Sequence, residues 1–201
     1  VSVVQFDEPV LTEVIFSHHQ TRSFMCAALS EKQDFAAELQ FAKSLITQIF
    51  EYARNKNIKT ALHVCRGNWS KDESVLLRGP YTSLVNLFES ALPDILMLEF
   101  STPRAGELSS LLESEILRQK CILGLGVINP RSDEVETVDQ IVQRAEKALN
   151  YLPPEQIWLN PDCGFATFSN RPLNGFDIIE TKLKVLNEAK SILRERYVSR
   201  T

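Results

Sequence analysis

The sequence predicts an α/β fold: a (β/α)₈ TIM barrel of which the 201-residue chain supplies only the last five β/α units. Three observations lead there. Short apolar strands alternate with amphipathic helices five times in succession, the signature of a parallel sheet with right-handed crossovers. Two of the strands are continuous apolar runs, as expected of strands buried on both faces. No glycine-rich dinucleotide fingerprint follows the first strand: Gly124-Leu125-Gly126 lies inside a strand and lacks the third glycine. That favours a barrel over an open doubly wound sheet. A barrel takes about 250 residues and eight units. Five units leave about three strands to be supplied, and a chain whose first strand starts at residue 2 or 3 without a methionine is expected to lack them at its N-terminal side. Five strands alone would leave two unpaired parallel edges, an aggregation liability.

The elements follow in order. Val3-Val4-Gln5-Phe6 reads as a strand ending at Asp7-Glu8-Pro9. Residues 10–32 form the longest irregular stretch. A helix is expected over 33–56, with Phe35, Leu39, Ala42, Ile46, Ile49 and Ala53 on one face. Thr60-Ala61-Leu62-His63-Val64 is the second strand, and helix signals resume over 80–91. Ile95-Leu96-Met97-Leu98 is the third strand, with a helix over 105–118 behind it. Residues 121–128 form the fourth strand, followed by a helix from Thr137 to Asn150. Ile157-Trp158-Leu159 is the fifth. A last helix over 175–197 carries Ile179, Leu183, Leu186, Ala189 and Leu193 in phase. No linker divides the chain into two domains.

Composition narrows the function. Hydrophobic residues at 44% and charged residues at 24% are ordinary for a soluble globular protein. A net charge of −4 argues against nucleic acid as the main partner. No apolar run reaches the roughly 20 residues of a membrane helix, and no secretory signal is visible. A reducing cytoplasm is therefore expected, where the four cysteines would stay free of disulfides.

Barrel active sites sit at the C-terminal ends of the strands. Those ends read Asp7-Glu8-Pro9, His63-Val64-Cys65, Glu99, Asn129-Pro130-Arg131 and Asn160-Pro161-Asp162-Cys163-Gly164. His63 and Cys65, two apart on a strand, project from one face. Glu99 stands where an apolar strand would carry another aliphatic residue, and a buried carboxylate there is costly unless paired or metal-bound. With Cys163 these make a set of four whose imidazole, carboxylate and thiolates suit zinc. Such a centre can hold a substrate thiol as a nucleophilic thiolate. Taken singly, each has a plainer reading: an H-x-C pair in a core strand, a small buried cysteine, a Glu99 salt-bridged to Arg104 or Arg66. Cys121 reads as core. His18 and His19 read as solvated loop residues, and Cys26 has no assigned role. Asp7 and Glu8 could bind an amino group or another cation, or form a solvated turn. Arg66 and Asn68, next to the H-x-C pair, are candidates for substrate contact; Arg66 could clamp a carboxylate or merely balance nearby acids. Arg104 and Arg131 are open to the same two readings.

In this order, Val4-Gln5-Phe6-Asp7-Glu8-Pro9, His63-Val64-Cys65, Leu98-Glu99-Phe100-Ser101, Gly124-Leu125-Gly126-Val127 and Asn160-Pro161-Asp162-Cys163-Gly164 resemble the catalytic domain of the cobalamin-independent methionine synthase family. The motifs cover nearly the whole chain, and the Asn-Pro-Asp-Cys-Gly string with an upstream His-x-Cys is highly specific. The resemblance implies a (β/α)₈ barrel with zinc (Zn2+) on His63, Cys65, Glu99 and Cys163. It implies methyl transfer to the thiol of homocysteine, giving methionine, with Asp7 helping to hold the amino group. The long folate-dependent members carry a histidine after the Gly-x-Gly-Val strand; here Arg131 stands at about that place, as the second candidate catalytic residue. Cys65-Arg66-Gly67-Asn68 is closer to the short, single-barrel branch, which includes thiol alkyltransferases such as epoxide-to-coenzyme-M transferases.

The expected function is thus a zinc-dependent thiol S-methyltransferase with homocysteine as acceptor. Its methyl donor stays open between a folate, a corrinoid protein and another compound. Alkyl transfer to a thiol such as coenzyme M is the second reading. A barrel fragment working only with the remaining barrel or another subunit is the third. A porphyrinogen-decarboxylase-like barrel ranks last, having no use for the four ligands.

Overall fold

A computed structural model describes residues 1–16 and 34–198. Five strands form one all-parallel sheet: β1 (Val3–Glu8), β2 (Lys59–Val64), β3 (Ile95–Glu99), β4 (Ile122–Ile128) and β5 (Ile157–Pro161). Their spatial order is their chain order, β1-β2-β3-β4-β5. Every crossover therefore steps the same way, as staves of a barrel do. A doubly wound sheet would reverse direction at a switch point, and the strand order contains none. The fold is α/β, a five-stave part of a barrel.

The helices differ from expectation in four places. Residues 11–16, expected to be irregular, form α1 (Leu11–Phe16), which buries Leu11 and Val14. The rest of that stretch, including His18, His19 and Cys26, lies outside the described residues. In α2 (Phe35–Arg54), capped by Asp34 accepting from the Ala37 amide at 3.0 Å, the buried face runs through Ile46, Phe50 and Ala53, while Ile49 is 40% exposed. The helix expected over 105–118 is two pieces, after α3 (Val85–Ala91): α4 (Ser109–Leu112) and α5 (Glu115–Lys120). Ser114 separates them, because its hydroxyl accepts from the Leu117 amide and caps a new helix. α6 (Val138–Leu149) starts at a reciprocal capping box between Thr137 and Gln140. In α7 (Phe176–Tyr197) Leu183 is 43% exposed and Lys182 is fully buried. Lys182 Nζ donates to the carbonyls of Asn129 and Glu134 and to the Glu136 carboxylate, which satisfies a charge that would otherwise be too costly to bury. Among the described residues no helix is long and apolar enough to cross a membrane.

The two faces of the sheet do different work. Leu62, Val64, Leu96, Leu98, Leu123, Leu125 and Val127 are buried in the hydrophobic core with Phe50, Phe88 and Ile141 from the helices. The other face presents a row in register across all five strands: Asp7, His63, Met97, Gly124 and Trp158. Trp158 is 44% exposed. Beside it a cleft of about 630 Å³ opens between β5, α6 and α7, lined by Trp158, Leu193 and Tyr197.

Candidate metal centre

The strand exits bring four side chains together. His63 is the fifth residue of β2, Cys65 follows that strand, Glu99 ends β3 and Cys163 follows β5. One ligand atom from each lies within 4.8 Å of every other. The two sulfurs are 3.9 Å apart, far beyond the roughly 2.05 Å of a disulfide, and both cysteines are free thiols.

Three of the four candidate ligands are held by a neighbour. His63 Nδ1 lies 2.9 Å from the Met97 carbonyl. A carbonyl only accepts, so Nδ1 carries a hydrogen and Nε2 is the nitrogen left for a metal. That Nε2 is buried without a hydrogen-bond partner. A buried imidazole nitrogen without a partner, in one cluster with two thiols and a carboxylate, fits a metal ion that takes the place of its proton, with the Met97 carbonyl orienting the ring from behind. Gly67 adopts φ +98°, a left-handed turn that lets its amide donate to Cys65 Sγ at 3.2 Å. Glu99, 2% exposed, accepts from the Arg66 amide at 3.1 Å through Oε1 and from Arg104 at 2.8 Å through Oε2. Its amide donates to the Tyr81 hydroxyl, which donates to the Val64 carbonyl and so braces β2 against β3. The salt bridge to Arg104 and the place among the four ligands are thus compatible readings of Glu99.

The electrostatics describe a buried cluster whose groups all hold their protons more tightly than usual. Burial works against a charged His63, yet the Cys65 sulfur, the Met97 carbonyl and Glu99 outweigh it and raise its pKa to about 9. The Cys163 sulfur beside Cys65, together with burial, holds the Cys65 thiol far above the usual range. Burial and the nearby Asp162 push Glu99 up, against the pull of Arg104 and Arg131. A divalent cation at their centre would take the place of those protons.

The remaining candidates are arranged differently from one another. Asp7 is exposed, lies in the same cross-strand row as His63, and accepts from Gln5 Nε2 at 2.7 Å. Glu8 alternates to the other face and accepts from the Val10 amide, forming the turn into α1. Arg66, considered above as a clamp on an acceptor carboxylate, is completely buried instead. Its guanidinium lies 3.9 Å from the Tyr81 ring centroid and 5.6 Å from that of Phe16, and it donates to the Gly79 carbonyl. Asn68, also buried, donates to the Gly164 carbonyl at 2.6 Å and so ties the loop after Cys65 to the loop after Cys163. Arg131 is 1% exposed. It reaches Asp162 at 2.8 Å, Glu73 at 3.4 Å and Glu99 at 3.9 Å. Burial alone would lower its pKa, but Glu99, Asp162 and Glu73 more than compensate and keep it a fixed cation rather than a source of protons.

Sequence reasoning passed over Asp162, Ser101, Tyr81 and Glu73. Asp162 had a signal, since it stands inside the Asn-Pro-Asp-Cys-Gly string. Ser101 had one too, at the end of the Leu98-Glu99-Phe100-Ser101 string; Tyr81 and Glu73 had none, because their partners lie 17 to 58 residues away in the chain.

The chain resembles known proteins over most of its length. Residues 1–173 match the family model described as cobalamin-independent synthase, catalytic domain. The chain is 32% identical over 114 residues to a methionine synthase of Pyrococcus abyssi, covering 57% of this chain and 29% of that protein. It is 31% identical over 116 residues to a 5-methyltetrahydropteroyltriglutamate–homocysteine methyltransferase of Campylobacter jejuni, covering 58% of this chain and 14% of that protein. Its fold matches a B12-independent methionine synthase from Shewanella sp. W3-18-1, solved with selenomethionine, at a TM-score of 0.68 and 18% identity, over 98% of this chain and 49% of that one. The chain spans a third or less of these two sequence relatives and about half of the solved structure.

Proposed function

Since the chain belongs to the cobalamin-independent methionine synthase family, we propose that it is the zinc-binding part of a thiol S-methyltransferase that converts homocysteine to methionine. The observation that carries this reading is the set His63, Cys65, Glu99 and Cys163, with ligand atoms within 4.8 Å of one another and the His63 Nε2 buried without a hydrogen-bond partner. Zinc at about 2.3 Å from two sulfurs in a tetrahedron separates them by about 3.8 Å; the sulfurs here are 3.9 Å apart. Bound there, zinc would supply Lewis acidity that lowers the pKa of an acceptor thiol.

The chain's own residues would do the rest. The Met97 carbonyl fixes the His63 tautomer, the Gly67 amide steadies Cys65, and Arg104 and the Arg66 amide orient Glu99. Asp7 would take the acceptor's ammonium group, a role supported by its exposure and its place in the His63 row. The acceptor sulfur forms a bond to the methyl carbon as the donor–methyl bond breaks, and that electron pair leaves with the donor, which takes a proton from solvent. Relatives named for 5-methyltetrahydropteroyltriglutamate suggest a donor of that class. The outer sides of β1 and β5 carry no pairing among the described residues. They support placing the five units in one closed barrel completed by further strands.

Supplied with zinc, a methyltetrahydropteroylglutamate and homocysteine, the full chain with its complementing barrel strands should form methionine, and faster than it methylates coenzyme M. Turnover of coenzyme M alone would replace homocysteine as the acceptor. Metal uptake should also depend on pH with a definite sign. His63 and Cys65 hold their protons near neutrality, and both must lose them to bind. Affinity should rise about tenfold or more per pH unit between pH 6 and 8, and acid should release the metal. Chelator competition across that range reads it, and a flat profile would contradict the ligand assignment.

A further inference from the structure

We propose that Asp162 is the positioning residue of the metal centre: it reaches across β4 to tie the exit of β5, which carries Cys163, to the exit of β3, which carries Glu99. This rests on the metal reading above.

Asp162 is 1% exposed and makes no contact with solvent that could account for its charge. Its Oδ1 accepts from the Phe100 amide at 3.1 Å and the Ser101 amide at 2.9 Å. Its Oδ2 accepts from the Ser101 hydroxyl at 2.5 Å and from Arg131 at 2.8 Å. Phe100 and Ser101 directly follow Glu99, and Cys163 directly follows Asp162. One carboxylate thus fixes the backbone beside two ligands that come from strands not adjacent in the sheet. The Asp162 amide also donates to the Ile128 carbonyl at 2.9 Å, anchoring the exit to β4.

The reach is possible because β4 offers no side chain in the way. A Cβ added at Gly126 would run into Asp162 Oδ1 and the Leu98 carbonyl. Gly126 pairs with Glu99 on one side and Asn160 on the other. A glycine at that register position leaves a slot, and the Asp162 carboxylate fills it. Arg131 then closes the assembly, joining Asp162 to Glu99 and Glu73. A carboxylate with four donors is satisfied without any help from a ligand. Its role is therefore geometric: it sets the Cys163 sulfur at its distance from Cys65 and Glu99.

The test is metal binding by the full chain and its variants, with zinc and cobalt(II) alone as probes. Asp162→Ala should bind about 10- to 100-fold more weakly in competition with a chromophoric chelator. Asp162→Asn keeps an amide oxygen for the Phe100 and Ser101 amides and should fall between it and the parent. Ser101→Ala removes one hydrogen bond and should cost least. The cobalt ligand-field bands should shift in the same order, a signature that mere loss of stability in the metal-free protein would not produce. Folded Asp162→Asn and Ser101→Ala proteins with the parent's affinity and spectrum would overturn the proposal, and those two variants decide it if Asp162→Ala does not fold. A parent that takes up neither ion would overturn the metal reading itself, a result distinct from equal affinities.

Discussion

Cys163→Ser is expected to empty the metal centre while leaving the fold intact. The change swaps one half-buried atom for a slightly smaller one, and Cys163 lies outside the hydrophobic core. Stability of the metal-free protein should move by less than about 0.5 kcal/mol. Metal binding should move much more. A serine hydroxyl stays protonated at neutral pH and is a poor ligand for a soft-to-borderline ion. Structural zinc sites bind with about 10–16 kcal/mol, so one ligand of four accounts for about 3 kcal/mol, or more than a hundredfold in affinity. Metal analysis of parent and variant purified side by side measures it. Equal loading would remove Cys163 from the ligand set, and with it the reason for the 3.9 Å approach of the two sulfurs.

Arg131→Met should cause the largest loss of stability among single changes near the site. Arg131 is fully enclosed and faces Asp162 and Glu99, which are 1% and 2% exposed, and Glu73, which is partly exposed. Methionine fills similar volume but leaves two buried carboxylates without their shared cation. Breaking a buried pair in this way costs about 3–5 kcal/mol. Arg131→Lys should recover only part of it, because a single ammonium cannot serve Asp162, Glu73 and Glu99 from one planar fork. Urea denaturation of the metal-free proteins reads both. A loss under about 1 kcal/mol for Arg131→Met would mean that the carboxylates are satisfied without it.

These two residues illustrate how much of the site was legible in advance. Cys163 and the other three candidate ligands were readable because ligand chemistry is local: a thiol, an imidazole or a carboxylate at a strand end is out of place in an apolar run. Arg131 was readable only as a charge near a strand end, open to substrate or structure. Its fork is taken by carboxylates from three other segments. Arg66 shows the same limit more sharply. Beside the H-x-C pair it suggests an anion clamp, yet its guanidinium is stacked on Tyr81 and shut away from solvent. The helices show it too. Periodicity located α2 and α7, but the choice between Ile49 and Phe50, or between Leu183 and Lys182, depends on which face meets the sheet. Lys182 defeats a hydrophobic pattern outright, because the carbonyls and carboxylate that pay for its burial come from the loop after β4.

The amino-acid order by itself determined the alternation of strands and helices, the parallel sheet that alternation requires, and the identity of four side chains able to bind a soft-to-borderline metal. These follow from hydrophobic period and functional-group chemistry, which are properties of a residue and its near neighbours. The tertiary structure alone decided the strand order without a reversal, the 4.8 Å convergence of ligands from β2, β3 and β5, and the passage of Asp162 over Gly126. Those depend on distances between segments as much as 100 residues apart, from His63 to Cys163, which only the packed sheet brings together.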